Sequence, residues 1–140
     1  MTERELNAAR DIASEIRACE SDLATFRLSM VRLVPLRDGQ PKGQSTESQV
    51  EKITLLVIEK ERELMTLKEQ LVEVAGELAQ KLSQLSLTSQ ERRVIFLRYV
   101  ACMHFRDIAF EMNKSDARTY AIHATALDKI LTKQEFIKSC

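Results

Sequence analysis

Residues 88–131 read TSQERRVIFLRYVACMHFRDIAFEMNKSDARTYAIHATALDKIL, and their punctuation decides the fold of the C-terminal part of the chain. Thr88-Ser-Gln-Glu91 has the form of a capping box: the Thr88 hydroxyl accepts an amide three residues on, and the Glu91 carboxylate reaches back. A helix is expected over Ser89–Val100, then a short connection through Ala101-Cys-Met-His to Phe105. A second helix over Phe105–Met112 puts Ile108, Ala109 and Met112 on one face. Asn113-Lys114 makes a turn, and Ser115 can cap a third helix from Asp116 to Leu131, continuing toward Lys138.

A short helix, a turn of about three residues and a second helix are the pieces of a helix-turn-helix. The small Ala109 allows the third helix to approach closely. That helix is expected to bury Thr119, Ile122 or His123, Ala126, Leu127 and Ile130. Its opposite face, near the start, carries Asp116, Ala117, Arg118, Tyr120 and Ala121. In a DNA-binding module this face enters a major groove, so the expected contact set is Lys114, Ser115, Ala117, Arg118, Tyr120 and Ala121. Arg118 can read a guanine or hold a phosphate, and Tyr120 can bond a phosphate or meet a thymine methyl. Patterning alone suits a plain three-helix bundle with a wet polar face equally well. His123 reads as a structural histidine bonded to a carbonyl, and Arg92, Arg93 and Arg98 as a solvated face.

The preceding sequence has a different rhythm. Between Thr2 and Val34 there is no Gly or Pro, and Ile12, Ile16, Cys19, Leu23, Phe26, Met30 and Leu33 follow a 4-3-4-3-4-3 spacing, a heptad seam. Both prolines and two of the three glycines fall in residues 35–49, PLRDGQPKGQSTESQ, which predicts a loop with Ser45 or Thr46 capping the next helix. From Glu47 to Leu85 the heptad resumes through Val50, Ile53, Val57, Leu64, Leu67, Leu71, Val74, Leu78 and Leu85. Lys60 and Lys81 take seam positions. Two seams and one loop predict an antiparallel helical hairpin, its first helix roughly 50 Å long. Such a hairpin has little core of its own, and the broad patch at Ile53–Ile58 either covers the partner helix or meets a second copy. The expected oligomerisation set is Ile53, Val57, Leu64, Leu67, Leu71, Val74 and Leu78.

The fold class is therefore all-α: a coiled-coil-like hairpin over 1–85, then a helix-turn-helix domain over 86–140. Composition agrees. Ala, Glu, Lys, Leu and Arg make up 66 of 140 residues, and Gly plus Pro only five, too few turn residues for a sandwich or barrel. Net charge is zero, which argues against a bulk electrostatic grip on nucleic acid. The zero conceals an asymmetry: residues 1–85 carry 12 basic and 15 acidic side chains, net −3, and residues 86–140 carry 9 and 6, net +3. The sign suits a nucleic-acid contact in the second part.

Glu91-Arg-Arg-Val-Ile-Phe-Leu-Arg-Tyr99, Ile108-Ala109, Ser115 and Ala126-Leu127 together resemble region four of bacterial sigma factors. The segment is similar, more closely, to ArpU-like and related prophage-encoded transcriptional regulators, whose last helix carries a Tyr, an Ile-His and an Ala-Leu, here Tyr120, Ile122-His123 and Ala126-Leu127. The resemblance covers residues 88–131 in detail and the first part in layout, including the Pro-Lys-Gly-Gln-Ser loop at 41–45. It implies a phage or prophage regulator acting in the cytoplasm of a bacterial host, binding double-stranded DNA as a homodimer or higher oligomer. RNA polymerase or another host protein is the implied protein partner. The sequence departs from the family pattern in three places. Cys102 stands where a glycine is usual, Thr119 replaces a more apolar core residue, and Ala121 sits where a basic residue is common.

Other classes are less well served. There is no Gly-rich phosphate loop, GxSxG or HExxH, so no catalytic residues and no enzyme are expected. Cys19, Cys102 and Cys140 lack metal-ligand spacing, Cys102 and His104 find no further nearby ligands, and neither metal nor cofactor is expected. The polar N-terminus suggests no signal peptide, and the longest apolar run, Leu55–Ile58, is too short to cross a bilayer. A terminase small subunit for DNA packaging, or a helical protein that inhibits a host protein, are the alternatives.

Overall fold

The computed structural model describes the backbone of residues 2–39 and 43–139, without the side chains of 34–39, 43–47 and 132–139. The described residues are all-helical, with no strand among them. Five α-helices follow in order: α1 (Glu3–Gly39), α2 (Gly43–Ser83), α3 (Ser89–Ile95), α4 (Phe105–Glu111) and α5 (Asp116–Ser139). A widened π-helical turn, Phe96–Val100, extends α3.

The loop expected over 35–49 is much shorter than its composition suggests. α1 continues through Pro35 to Gly39, and α2 has begun by Gly43, ahead of Ser45 and Thr46. A single proline removes one donor and crowds one turn, a cost of about 3 kcal/mol that a long flanking helix can absorb. The proposed caps at Ser45 and Thr46 involve side chains outside the described residues.

The chain forms two compact units, Met1–Ser14 with Gln70–Cys140, and Glu15–Glu69. The division does not fall at residue 85. The reason lies in the core of the first unit, where Leu6 of α1 and Leu78 and Leu82 of α2 join Leu87, Ile95, Tyr99, Ala126 and Ile130 in one buried cluster. The ends of the long helices therefore complete the core of the short ones. Val94, Ile108 and Ile122 form a second cluster, packed by Leu97, Met103, Phe105 and Met112.

The seams are recognisable but displaced. In the first unit the buried stripe of α1 is Leu6, Ala9 and Ala13, none of them in the expected seam, while Ile12 is only half-buried. On α2 the fully buried residue is Leu82, four after Leu78 and so on the same helical face. Lys81 is instead exposed and bonds the Glu5 carboxylate at 2.9 Å, which holds Glu5 below the usual carboxylate range.

In the second unit Ile16, Cys19, Leu23 and Leu67 are buried. The Cys19 thiol donates to the Lys60 carbonyl at 3.4 Å, and burial pushes the thiol's pKa up. Lys60 occupies its seam position as expected, but its ammonium reaches the edge, 3.2 Å from Glu63 and 3.4 Å from Asp22. Ser29, Arg32 and Leu33 share a groove with Gln49, Lys52 and Ile53. None of the described helices is long and apolar enough to cross a membrane.

The connection after the π turn carries the strain of the fold. Cys102 has φ 56°, the left-handed region in which a Cβ crowds the backbone. It is the position at which the sigma-region-four pattern that the sequence resembles usually has a glycine. Cys102→Gly should raise unfolding free energy by about 0.5–1 kcal/mol, relief of the steric cost outweighing the entropy glycine adds to the unfolded chain. Chemical denaturation of the two proteins measures it.

Candidate nucleic-acid interface

The surface of interest is built by α4, the turn and α5. Glu91 anchors it from beneath. The capping box at Thr88 is complete, Glu91 N–H donating to the Thr88 hydroxyl at 3.1 Å and Thr88 N–H to the Glu91 carboxylate at 3.4 Å. The same buried carboxylate also accepts from the Lys129 ammonium of α5, at Oε1 (2.9 Å) and Oε2 (3.0 Å). One acidic residue thus both starts α3 and ties it to α5.

α4 ends through Met112, whose N–H bonds the Ile108 carbonyl. Asn113 takes φ 55°, a conformation asparagine tolerates better than most residues, and Lys114 N–H closes the turn onto the Ala109 carbonyl at 2.9 Å. Ser115 then caps α5, its hydroxyl accepting from Arg118 N–H at 3.1 Å. Thr119, the unusual polar core residue, is fully buried and donates its hydroxyl to the Ser115 carbonyl at 2.9 Å. That bond satisfies the hydroxyl and makes it tolerable beneath the helix start.

α5 buries Thr119, Ile122, Ala126 and Ile130 and half-buries His123 and Leu127. Among the expected contact residues Ser115, Ala117, Arg118, Tyr120 and Ala121 are exposed, and Lys114 is half-buried. Arg118 and Ala121 line a cavity of about 200 Å³ with Thr88, Gln90, Glu91, Ile122 and Thr125. Thr88 and Gln90 lie outside the expected contact set because only the packing of α3 against α5 brings them there, and Thr125 lies one helical turn beyond Ala121 on α5.

Tyr120 lies elsewhere on the surface, against Phe105, ring centroids 4.3 Å apart at 31°. Phe105 also meets the edge of His123 at 4.8 Å and 77°, and carries the Arg98 guanidinium 4.4 Å from its centroid. Arg98 is not a solvated side chain: it donates to the Met103 carbonyl at 2.9 Å. Nor does His123 bond a carbonyl. Its Nε2 lies 3.0 Å from the Tyr99 hydroxyl. Burial holds His123 below its ordinary pKa, with the Arg98 charge adding to this, and burial raises Tyr99. Both shifts favour the neutral forms, and the phenol and Nε2 share one hydrogen bond. Arg93 is exposed and pairs with Glu111 at 3.6 Å.

The lowered His123 pKa has a consequence for stability. Protons bind the unfolded chain more readily, so the contribution is fully present above the ordinary value of 6.5 and is lost as pH falls toward the depressed folded value. Thermal melts of wild type should fall between pH 7.5 and 5.5 by more than those of His123→Gln, which keeps an acceptor but does not titrate. Equal falls would contradict the assignment.

Among the described residues no cluster of His, Cys, Asp and Glu could hold a metal ion. No protein-family model, no curated protein and no solved structure matches this chain.

Proposed function

We propose that the chain is a sequence-specific regulator of transcription that binds double-stranded DNA, encoded by a phage or prophage and acting in the host cytoplasm. In this reading α4, the turn and α5 are a helix-turn-helix. The observation that carries it is the start of α5. Ser115 caps that helix, Thr119 and Ile122 bury one side, and Ala117, Arg118, Tyr120 and Ala121 remain outward on the other. Small side chains beside one arginine and one tyrosine allow close approach to base edges with two residues able to read them. The resemblance to sigma region four and the net +3 of residues 86–140 support the same reading. Mapping the DNA bound by the protein in cells should give discrete promoter-proximal sites. Uniform coverage, or none, would contradict it.

The long helices serve in this reading as an antiparallel hairpin that brings copies together, with polymerase or another host protein as a further partner. Of the expected oligomerisation set, Leu67 and Leu78 are buried and Ile53, Val57, Leu64, Leu71 and Val74 are half-buried. Outward apolar residues on the second unit's part of α2 are Leu55, Leu56, Ile58 and Met65, between 39% and 65% exposed. Light scattering should show a dimer or larger at high micromolar concentration, weakened by Met65→Asp. A monomer throughout would exclude this role.

A further inference from the structure

We infer that Phe105 is the positioning residue for Tyr120, and that Tyr120, so held, meets the 5-methyl edge of a thymine. The inference rests on the DNA-binding reading above and deepens it.

The Arg98 guanidinium carbon lies 4.4 Å from the Phe105 centroid, and the Tyr120 ring lies 4.3 Å away at a tilt of 31°. Phe105 thus carries both the Arg98 guanidinium and the Tyr120 ring in close contact. His123 meets the same ring nearly perpendicular, at 77° with centroids 4.8 Å apart. Each neighbour is fixed in turn, Arg98 by the Met103 carbonyl and His123 by the Tyr99 hydroxyl. Tyr120 therefore rests on a half-buried ring that Arg98 and His123 also hold in place, while 53% of its own surface stays open.

This arrangement restricts the side-chain rotation that an exposed tyrosine otherwise gives up on binding. It also distinguishes two uses of the residue. A phenol that bonds a phosphate needs only its hydroxyl at the groove edge, and a mobile ring serves. An apolar ring laid against the helix and presenting its free side outward suits contact with a methyl group inside the groove, where thymine alone carries one. Lys114 and Arg118 are the cations on this stretch and suit the phosphates better. Phe105 lies on α4, outside any groove-facing pattern, so only the packing reveals its connection to recognition.

The test uses the full-length protein and a duplex enriched by it from a random-sequence pool. Each thymine is replaced by uracil in turn, which removes only the methyl. One replacement should weaken wild type about fourfold, the worth of one buried methyl. Tyr120→Ala should bind the two duplexes equally. Phe105→Leu, which keeps an apolar side chain in the core, should reduce the ratio to less than twofold, and Phe105→Tyr should retain it. Arg98→Met, which removes the guanidinium that rests on Phe105, should lower the ratio too and serves if Phe105→Leu does not fold. A purely structural Phe105 would weaken both duplexes alike and leave the ratio intact, overturning the inference. So would an enriched duplex that tolerates every uracil while Tyr120→Phe loses affinity, the signature of a phosphate contact. Failure to enrich any duplex would remove the DNA-binding reading and this inference with it.

Discussion

Leu82→Ala should lower the unfolding free energy by about 3 kcal/mol, within the range for a fully buried leucine whose removal leaves a cavity. Leu82 has no exposed surface and sits among Leu6, Leu78, Leu87, Ile95, Tyr99, Ala126 and Ile130. The cluster draws on α1, α2, α3, the π turn and α5, which leaves the site little freedom to collapse. Lys81→Ala is the control one residue away. It breaks a pair with Glu5 whose side chains are 47% and 42% exposed, and should cost about 0.5 kcal/mol or less. Denaturant titration of both variants measures the difference. Similar costs for the two would mean that Leu82 does not hold the core.

Arg118→Ala should reduce specific binding to duplex DNA by about 10- to 100-fold, the range for loss of a bidentate base contact. Arg118 is exposed one turn into α5, and its backbone N–H rather than its guanidinium serves the Ser115 cap. Helicity and melting temperature should therefore stay as in wild type, which separates a binding defect from a folding one. With a net charge of zero the protein lacks a bulk electrostatic grip that would mask the loss. An unchanged binding isotherm would exclude Arg118 as a contact residue.

Local chemistry was the most legible part of the sequence. The Thr88–Glu91 capping box, the Ser115 cap and the buried face of α5 all follow from spacing and side-chain type, and the structure has each of them. Counting heptads failed where a helix faces more than one neighbour. It placed Lys81 in the seam because it carried one frame to the end of α2, whereas Leu82 turns toward α3 and α5 as well as α1. Ala9 and Ala13 escaped notice because small apolar residues stand out little among polar ones, yet they permit close helix approach. The Pro- and Gly-rich composition of residues 35–49 overstated the loop, because punctuation marks where a helix can stop, not where it must.

The candidate interface was legible as a list of outward residues but not as an arrangement. Asp116, Ala117, Arg118, Tyr120 and Ala121 can be placed on one side of α5 by helical geometry. The contacts of Phe105 with Arg98 and Tyr120 join three elements, and the partners are seven and fifteen residues away in sequence. No periodicity connects them. Cys102 is the converse case, a residue marked as unusual by type whose cause emerged only as a left-handed backbone.

In the proposed function α5 reads base sequence in duplex DNA. Equilibrium titration of the full chain against a duplex enriched from a random pool, and against the same duplex scrambled, tests it most directly. A specific reader binds the enriched duplex at least about 1,000-fold more tightly at physiological salt, in the range known for such proteins. Equal affinity for the two duplexes, or none for either, would contradict the claim.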